Sequence, residues 1–325
     1  MKKISAKILL IGLLVLVAIF AASRFFRSPA RDSNLRKDLL TLDTALVNEV
    51  RILPSKDHTD EIKLIRDGRN WKVNKGNRSE PADRAAVKNI LGIMANLQAQ
   101  RLVSRKKEKW EDFKVAESST HVSVYARGKK VADFHVGKLG FVPGSGGGMP
   151  GGAYTHIRLS DENEVYTVDG FLEPTFNNSF NEWRDKTFLK LNKDDIVKLS
   201  FTYPADSGFV ASKRDSVWYV GSDPADASKV DRILHSFSSK YLTEFVDGFT
   251  PKAAADAVIQ VDGKSGNLVT LEGWKGESSE WVLTSSLQKG IYFSSKGSSV
   301  TTDILIGKEK LLPDPKSTKP QGPRK

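Results

Sequence analysis

Three of the five histidines, His121, His135 and His156, fall in β-prone runs in the first half of the chain. Three imidazoles can hold zinc if they converge. Nothing in their spacing forces convergence, because strand alternation alone sets neither the shared face nor the register of paired strands. Partly exposed sheet histidines are therefore expected, and no metal site. Gly144 to Gly152 has the glycine content of a phosphate cradle. It is interrupted by Met149-Pro150 and leads into a strand, whereas a phosphate loop leads into a helix and ends in Lys-Ser or Lys-Thr. Gly144-Ser145-Gly146 lacks the residues of a nucleophile elbow. The acidic pairs Glu111-Asp112 and Asp194-Asp195 stand at element edges, where carboxylates solvate turns more often than they work as acid and base. The absence of cysteine excludes disulfides, thiolate zinc sites and a cysteine nucleophile. No catalytic residue, cofactor or metal ligand is expected, and a hydrolytic enzyme is the least favoured reading.

The net charge of +11 is uneven. Arg24, Arg27 and Arg31 follow an apolar run, Arg101 to Lys109 is densely basic, and the tail after Leu312 is basic and proline-rich. Arg101, Arg105, Lys106, Lys107 and Lys109, together with Gly146, Gly147 and Gly148 of the glycine loop, form the candidate interaction surface. Its competing reading is solvated loop. Trp183, Arg184, Asp185 and Lys186 are the candidate joint, an ion-paired corner between two modules.

At the N-terminus, Met1-Lys2-Lys3 and Lys7 precede fifteen uncharged residues, Ile8 to Ala22. Ala21-Ala22-Ser23 could serve as a signal-peptide exit. Ile8 to Phe26 is nineteen residues, close to the roughly 20 that span a bilayer, with Arg24 able to snorkel. In both cases the positive end stays inside and the body of the chain is exported. A basic exported protein meets anionic lipid or acidic wall polymer rather than nucleic acid.

The elements that would position any site are written twice. Trp71-Lys72-Val73 leads through a turn to Pro81-Ala82-Asp83 and the apolar pattern Val87, Ile90, Leu91, Met94. Trp218-Tyr219-Val220 leads likewise to Pro224-Ala225-Asp226 and Val230, Ile233, Leu234, Phe237. Each pattern has helical period. Pro81 is expected in the first helical turn with Asp83 near the N-terminus; in the second copy Asp223 is expected as N-cap, with Asp226 in the first turn. Asp67-Gly68 and Arg127-Gly128-Lys129 mark hairpins, and Gly137 to Gly152 is expected to separate two of them. A module of strands, one helix and more strands, repeated once, gives an α+β class with antiparallel sheets.

These residues also resemble a family. The order Trp-x-Val, Pro-Ala-Asp, apolar helix, hairpin, glycine-rich loop and Tyr154-x-x-Ile157-Arg158-Leu159 is similar to the bacterial domain of unknown function numbered 4340. So is the connector Trp183-Arg184-Asp185-Lys186-Thr187-Phe188-Leu189. The resemblance covers Val47 to Phe293 and departs at Phe113-Lys114-Val115-Ala116-Glu117, where a Gly-Leu-x-x-Pro is common. It implies one membrane anchor, favouring anchor over cleaved peptide, and genes near ATP-binding-cassette transporters, including gliding-associated ones. It implies no catalytic residues.

The expected organisation is a signal anchor over 1–27, a stalk over 28–45, and a first α+β module over 46–171. A connector over 172–193, a second module over 194–307 and a disordered basic tail over 308–325 follow. The expected fold is two tandem related modules of antiparallel sheet, each with one packed helix, after an N-terminal transmembrane helix. The expected function is an exported scaffold in the inner membrane, its body on the periplasmic side, accessory to a transport complex. The alternative is a binding module for an anionic wall polymer or lipid.

Overall fold

The computed structural model describes residues 36–56, 60–142, 151–205, 207–276 and 279–314. The anchor segment, Gly146, Gly147 and Gly148, and the tail beyond Asp314 lie outside the described residues. The chain divides into two units, Met1–Trp183 and Arg184–Lys325. Both are rich in antiparallel sheet with few helices, a sheet-dominated α+β architecture.

In the first unit the strands are β1 (Val47–Leu53), β2 (Ile62–Asp67), β3 (Asn70–Lys75) and β4 (Arg78–Pro81). Helix α1 (Arg84–Ala95) follows, then β5 (Ala99–Ser104) and the one-turn helix α2 (Trp110–Phe113). After these come β6 (Thr120–Ala126), β7 (Lys129–Val142), β8 (Gly152–Leu159), β9 (Val165–Asp169) and two short helices, α3 (Leu172–Phe176) and α4 (Phe180–Trp183). The sheet order is β4-β3-β2-β1-β6-β7-β8-β9-β5, so α1 carries the chain from one edge of the sheet to the other. A twelve-residue helix is marginal by itself. Burial of Val87, Ile90, Leu91 and Met94 against Val50, Leu64, Val122, Phe134 and Ile157 stabilises it, at about 1.5–3 kcal/mol per side chain.

The second unit contains β10 (Thr187–Lys190), β11 (Ile196–Thr202), β12 (Phe209–Arg214), β13 (Val217–Val220) and β14 (Asp223–Pro224). Helix α5 (Ala227–Ser238) and β15 (Ser239–Tyr241) lead to β16 (Ala257–Gly263), β17 (Gly266–Lys275), β18 (Trp281–Ser285), β19 (Tyr292–Ser294) and the short helix α6 (Val300–Asp303). Its main sheet runs β14-β13-β12-β11-β16-β17-β18-β19, and β15 pairs with β10 instead. Leu199, Phe201, Val261, Leu271 and Leu283 pack with Val230, Ile233, Leu234 and Phe237 of α5.

Both Pro-Ala-Asp segments differ from the expectation in the same way. Pro81 pairs with Lys72 and Pro224 with Tyr219, so each proline lies in an edge strand rather than a helical turn. An edge strand tolerates proline because it lacks one neighbour to donate to. The alanine N–H donates to the tryptophan carbonyl, Ala82 to Trp71 and Ala225 to Trp218, each at 2.9 Å. Asp83 and Asp226 are the N-caps: Asp83 Oδ1 accepts from the N–H groups of Ala85 and Ala86, and Asp226 Oδ1 from those of Ser228 and Lys229. The helices thus begin one residue after the aspartate.

Three further expectations are corrected. The stretch from Gly137 is not loop as far as Gly152, because β7 continues to Val142 and pairs with β8. Glycine there serves close approach: a Cβ on Gly137 would run into the Phe113 carbonyl oxygen, and one on Gly140 into the Tyr154 ring. The segment 172–193, expected as a connector, holds α3, α4 and β10. Residues 308–314 are not free tail, since Leu311 is buried, its carbonyl accepts from Asp226 N–H, and Lys229 Nζ pairs with Asp314 at 2.8 Å.

Candidate functional site

Strand alternation sorts the first sheet into two faces. Val122, Val124, Phe134, Val136, Ile157, Leu159, Tyr166 and Val168 face the α1 core. The alternate residues give a polar outer face: His121 and Ser123, Asp133 and His135, Tyr154, His156 and Arg158, then Thr167. Register brings them into rows. His121 lies opposite His135, and His135 opposite Arg158. His156 lies opposite Thr167, and Thr167 opposite Arg101.

A strap, residues 105–119, lies over part of this face. It begins in the basic stretch, which is not a simple loop: Arg101 belongs to β5 and Lys107–Lys109 form a 3-10 turn into α2. The strap has its own small core of Trp110, Val115 and Ala116 against Val165. Sheet side chains fasten it. Arg158, 1% exposed, donates from Nε to the Val115 carbonyl at 2.9 Å and from Nη2 to Glu117 Oε1 at 3.1 Å. Its guanidinium also stacks 3.8 Å from the Trp110 ring centre. A buried charge is costly unless paired and hydrogen-bonded, and here it is both. Lys138 Nζ donates to the Asp112 carbonyl, and His156 stacks on Phe113 with ring centres 4.9 Å apart.

The histidines do not converge on a common point. His121 and His135 stack with ring centres 4.7 Å apart. His121 Nε2 pairs with Asp133 Oδ1 at 2.6 Å, and His156 Nδ1 donates to the Lys138 carbonyl at 2.9 Å. Among the described residues there is no group of three or more histidines and carboxylates able to hold a metal ion. Burial would raise the Asp133 carboxyl, but hydrogen bonds from Lys130, Ser123 and His121 outweigh it and hold Asp133 below its ordinary value. Burial, then the charges of Arg158 and His121, push the His135 imidazole down to about 4. Burial likewise lowers His156, against the hydrogen bond to Lys138 that favours its charged form.

Sequence reasoning missed one arrangement here, Ser119–His135–Glu117. Ser119 Oγ lies 3.0 Å from His135 Nδ1, and Glu117 Oε2 lies 3.8 Å from His135 Nε2. These are the types of a nucleophile, base and orienting carboxylate. The polarity is different: Ser119 Oγ–H donates to the Ala116 carbonyl at 2.5 Å, leaving Oγ to accept from His135 Nδ1–H. A histidine held near pKa 4 is also a poor base at neutral pH. The trio fastens the strap. No periodicity announces it, since Glu117 and Ser119 sit in irregular backbone.

The basic residues of the candidate interaction surface can be placed individually. Arg101, Arg105, Lys106, Lys107 and Lys109 are all exposed. Lys109 pairs with Asp112 at 2.7 Å, Arg105 with Glu164 at 3.8 Å, and Lys107 sits 5.1 Å from the Trp110 ring centre. The candidate joint stands where the two units meet in the sequence, Trp183 ending the first and Arg184 beginning the second. Trp183 is buried in the first core, while Arg184, 3% exposed at its side chain, pairs with Asp247 at 2.8 Å and stacks on Phe245. Asp185 Oδ1 accepts from Thr187 N–H.

The sequence profile of a family described as domain of unknown function (DUF4340) matches residues 71–260, which include both Trp-x-Val and Pro-Ala-Asp segments. The chain belongs to this family. Within the DUF4340 match lie α1, the strap and the whole His121–His135–Arg158 face, so these belong to the family region of the molecule. No curated protein and no solved structure matches the chain.

Proposed function

We propose that this chain is a membrane-anchored, exported scaffold whose two units are related modules, serving a membrane transport complex. The observation that carries the anchor is the apolar run Ile8 to Phe26 behind Met1-Lys2-Lys3. Among the described residues no helix is long and apolar enough to cross a membrane, and the proposed anchor lies outside them. Relatedness of the units is supported by matching sheet orders, by the alanine-to-tryptophan hydrogen bond in both, and by the aspartate N-cap in both. Another parallel is a bulge at the start of the central strand, between Val47 and Glu49 in β1 and between Ile196 and Lys198 in β11. The transporter as partner rests on the gene neighbourhood expected of the family. Purification of the full chain from membranes in gentle detergent tests it: transporter subunits should co-purify, and their absence would sink the proposal.

The second reading, binding of anionic wall polymer or lipid, is favoured by the exposed basic run at Arg101 to Lys109. Retention on purified wall material that fades as salt rises would support it, because contacts between exposed charges are screened.

A further inference from the structure

Beside the strap, the outer face of the first sheet holds an open cleft of about 410 Å³. That is within the size range of small-ligand sites. Its floor is the row Arg101–Thr167–His156, one residue from each of β5, β9 and β8, set side by side by direct cross-strand pairing. Among the described residues neither the Arg101 guanidinium nor the Thr167 hydroxyl has a hydrogen-bond partner. His156 spends Nδ1–H on the Lys138 carbonyl, so its neutral ring keeps the Nε2 lone pair for another donor. The row therefore offers a fixed cation, a hydroxyl and an acceptor.

The walls supply the complementary chemistry. Phe141, 52% exposed, and the Tyr154 ring flank the row. Tyr154 is held edge-on to His156 with ring centres 5.4 Å apart, and Phe141 edge-on to Phe171 at 6.2 Å. At the β5 side, Gln100 Nε2 donates to Asp169 Oδ2 at 2.9 Å, leaving the other carboxylate oxygen as an acceptor. A flat aromatic beside several uncommitted hydrogen-bonding groups suits a ring with an apolar C–H face and hydroxyls at its edge. The Arg101 fork suits a carboxylate on that ring.

We propose that this cleft binds an acidic sugar, a uronic-acid-containing oligosaccharide, with its carboxylate on Arg101, its hydroxyls on Thr167, His156 and Asp169, and its ring face on Phe141. The proposal goes beyond the scaffold reading and does not depend on it, since recovery of transporter subunits and sugar binding are separate measurements.

The test is calorimetric titration of the full chain, in a zwitterionic sugar-free detergent, with a digalacturonate and with its neutral digalactose analogue. The expected result is saturable binding of the acidic disaccharide and at least tenfold weaker binding of the neutral one. R101A should lose about tenfold or more for the acidic disaccharide and little for the neutral one, the size expected for a charge-assisted contact. F141A should weaken both, and R69A, at the exposed turn between β2 and β3, neither. Arg101 and Phe141 are exposed, so these variants keep the fold. Equal affinity for the two sugars, no saturable binding of either, or full affinity in R101A would overturn the proposal.

Discussion

Acidification should strain the first unit through His135. The ring is 3% exposed, lies opposite Arg158 and stacks on His121, and its pKa falls from 6.5 to about 4. A histidine whose folded pKa is depressed binds its proton more readily in the unfolded chain. Its penalty is therefore absent above pH 6.5 and grows as pH falls from 6.5 towards 4. A shift of about 2.5 units at 1.36 kcal/mol each amounts to about 3 kcal/mol below pH 4, and about 2.5 kcal/mol is already lost at pH 4.5. Carboxylates held low, such as Asp133 and Asp303, lose their contribution mainly below this window, so pH 7 to 4.5 isolates the imidazoles. The perturbation is His135→Asn, which can retain a donor towards Ser119 and removes the titration. Urea unfolding of the first unit, followed through the ring signals of His121 and His156, would be measured at pH 7 and 4.5. The wild-type chain should lose about 2.5 kcal/mol more than the variant between the two, with a smaller residual slope from His156. A His135 ring that titrates near 6.5, or a variant with the wild-type pH slope, would refute the reasoning.

Three other outcomes follow from the packing. Asp83→Ala and Asp226→Ala should each destabilise their own unit by about 1 kcal/mol, read as a lower urea midpoint, because each leaves two helix N–H groups without their cap. Gly137→Ala should cost about 1–3 kcal/mol and increase amide exchange across residues 113–116, because its Cβ would stand 2.5 Å from Val115 Cγ1 and the strap must lift. Arg184→Ala should destabilise the second unit by about 2 kcal/mol in thermal unfolding, since it removes a buried partner of Asp247 and the cation over Phe245; Arg184→Lys should recover only part, lacking the planar fork.

The candidate site was legible only as an inventory. His121, His135, His156 and Arg101 can be picked out by type, and the Arg127-Gly128 turn announces the β6–β7 hairpin. That His121 faces His135 depends on register, and a slip of one residue would have put both into the core. Glu117 and Ser119 carried no chemical signal, and Arg158 entered only as one letter of the Tyr154-x-x-Ile157-Arg158-Leu159 pattern. The first two lie in irregular backbone, and a strand arginine reads as solvent-facing until something covers it. The glycines misled for a related reason: Gly137 and Gly140 look like loop residues, but their missing side chains make room for the Phe113 carbonyl and the Tyr154 ring.

Local chemistry was sufficient for many of the strands and for the two twelve-residue helices, though not for the edge strands at Pro81 and Pro224, the continuation of β7 past Gly137 or the elements within 172–193. Alternation marks strands, the spacing of Val87, Ile90, Leu91 and Met94 marks a helix, and Pro-Ala-Asp marks its start to within a residue or two, because these are properties of neighbours along the chain. The tertiary structure decided which face of the first sheet is sealed. It placed the strap over His135 and Arg158, left the Arg101–Thr167–His156 row in an open cleft, and divided the Trp183-Arg184 pair between two cores. Those outcomes depend on contacts between residues far apart in sequence, where burial and register decide and periodicity carries no information.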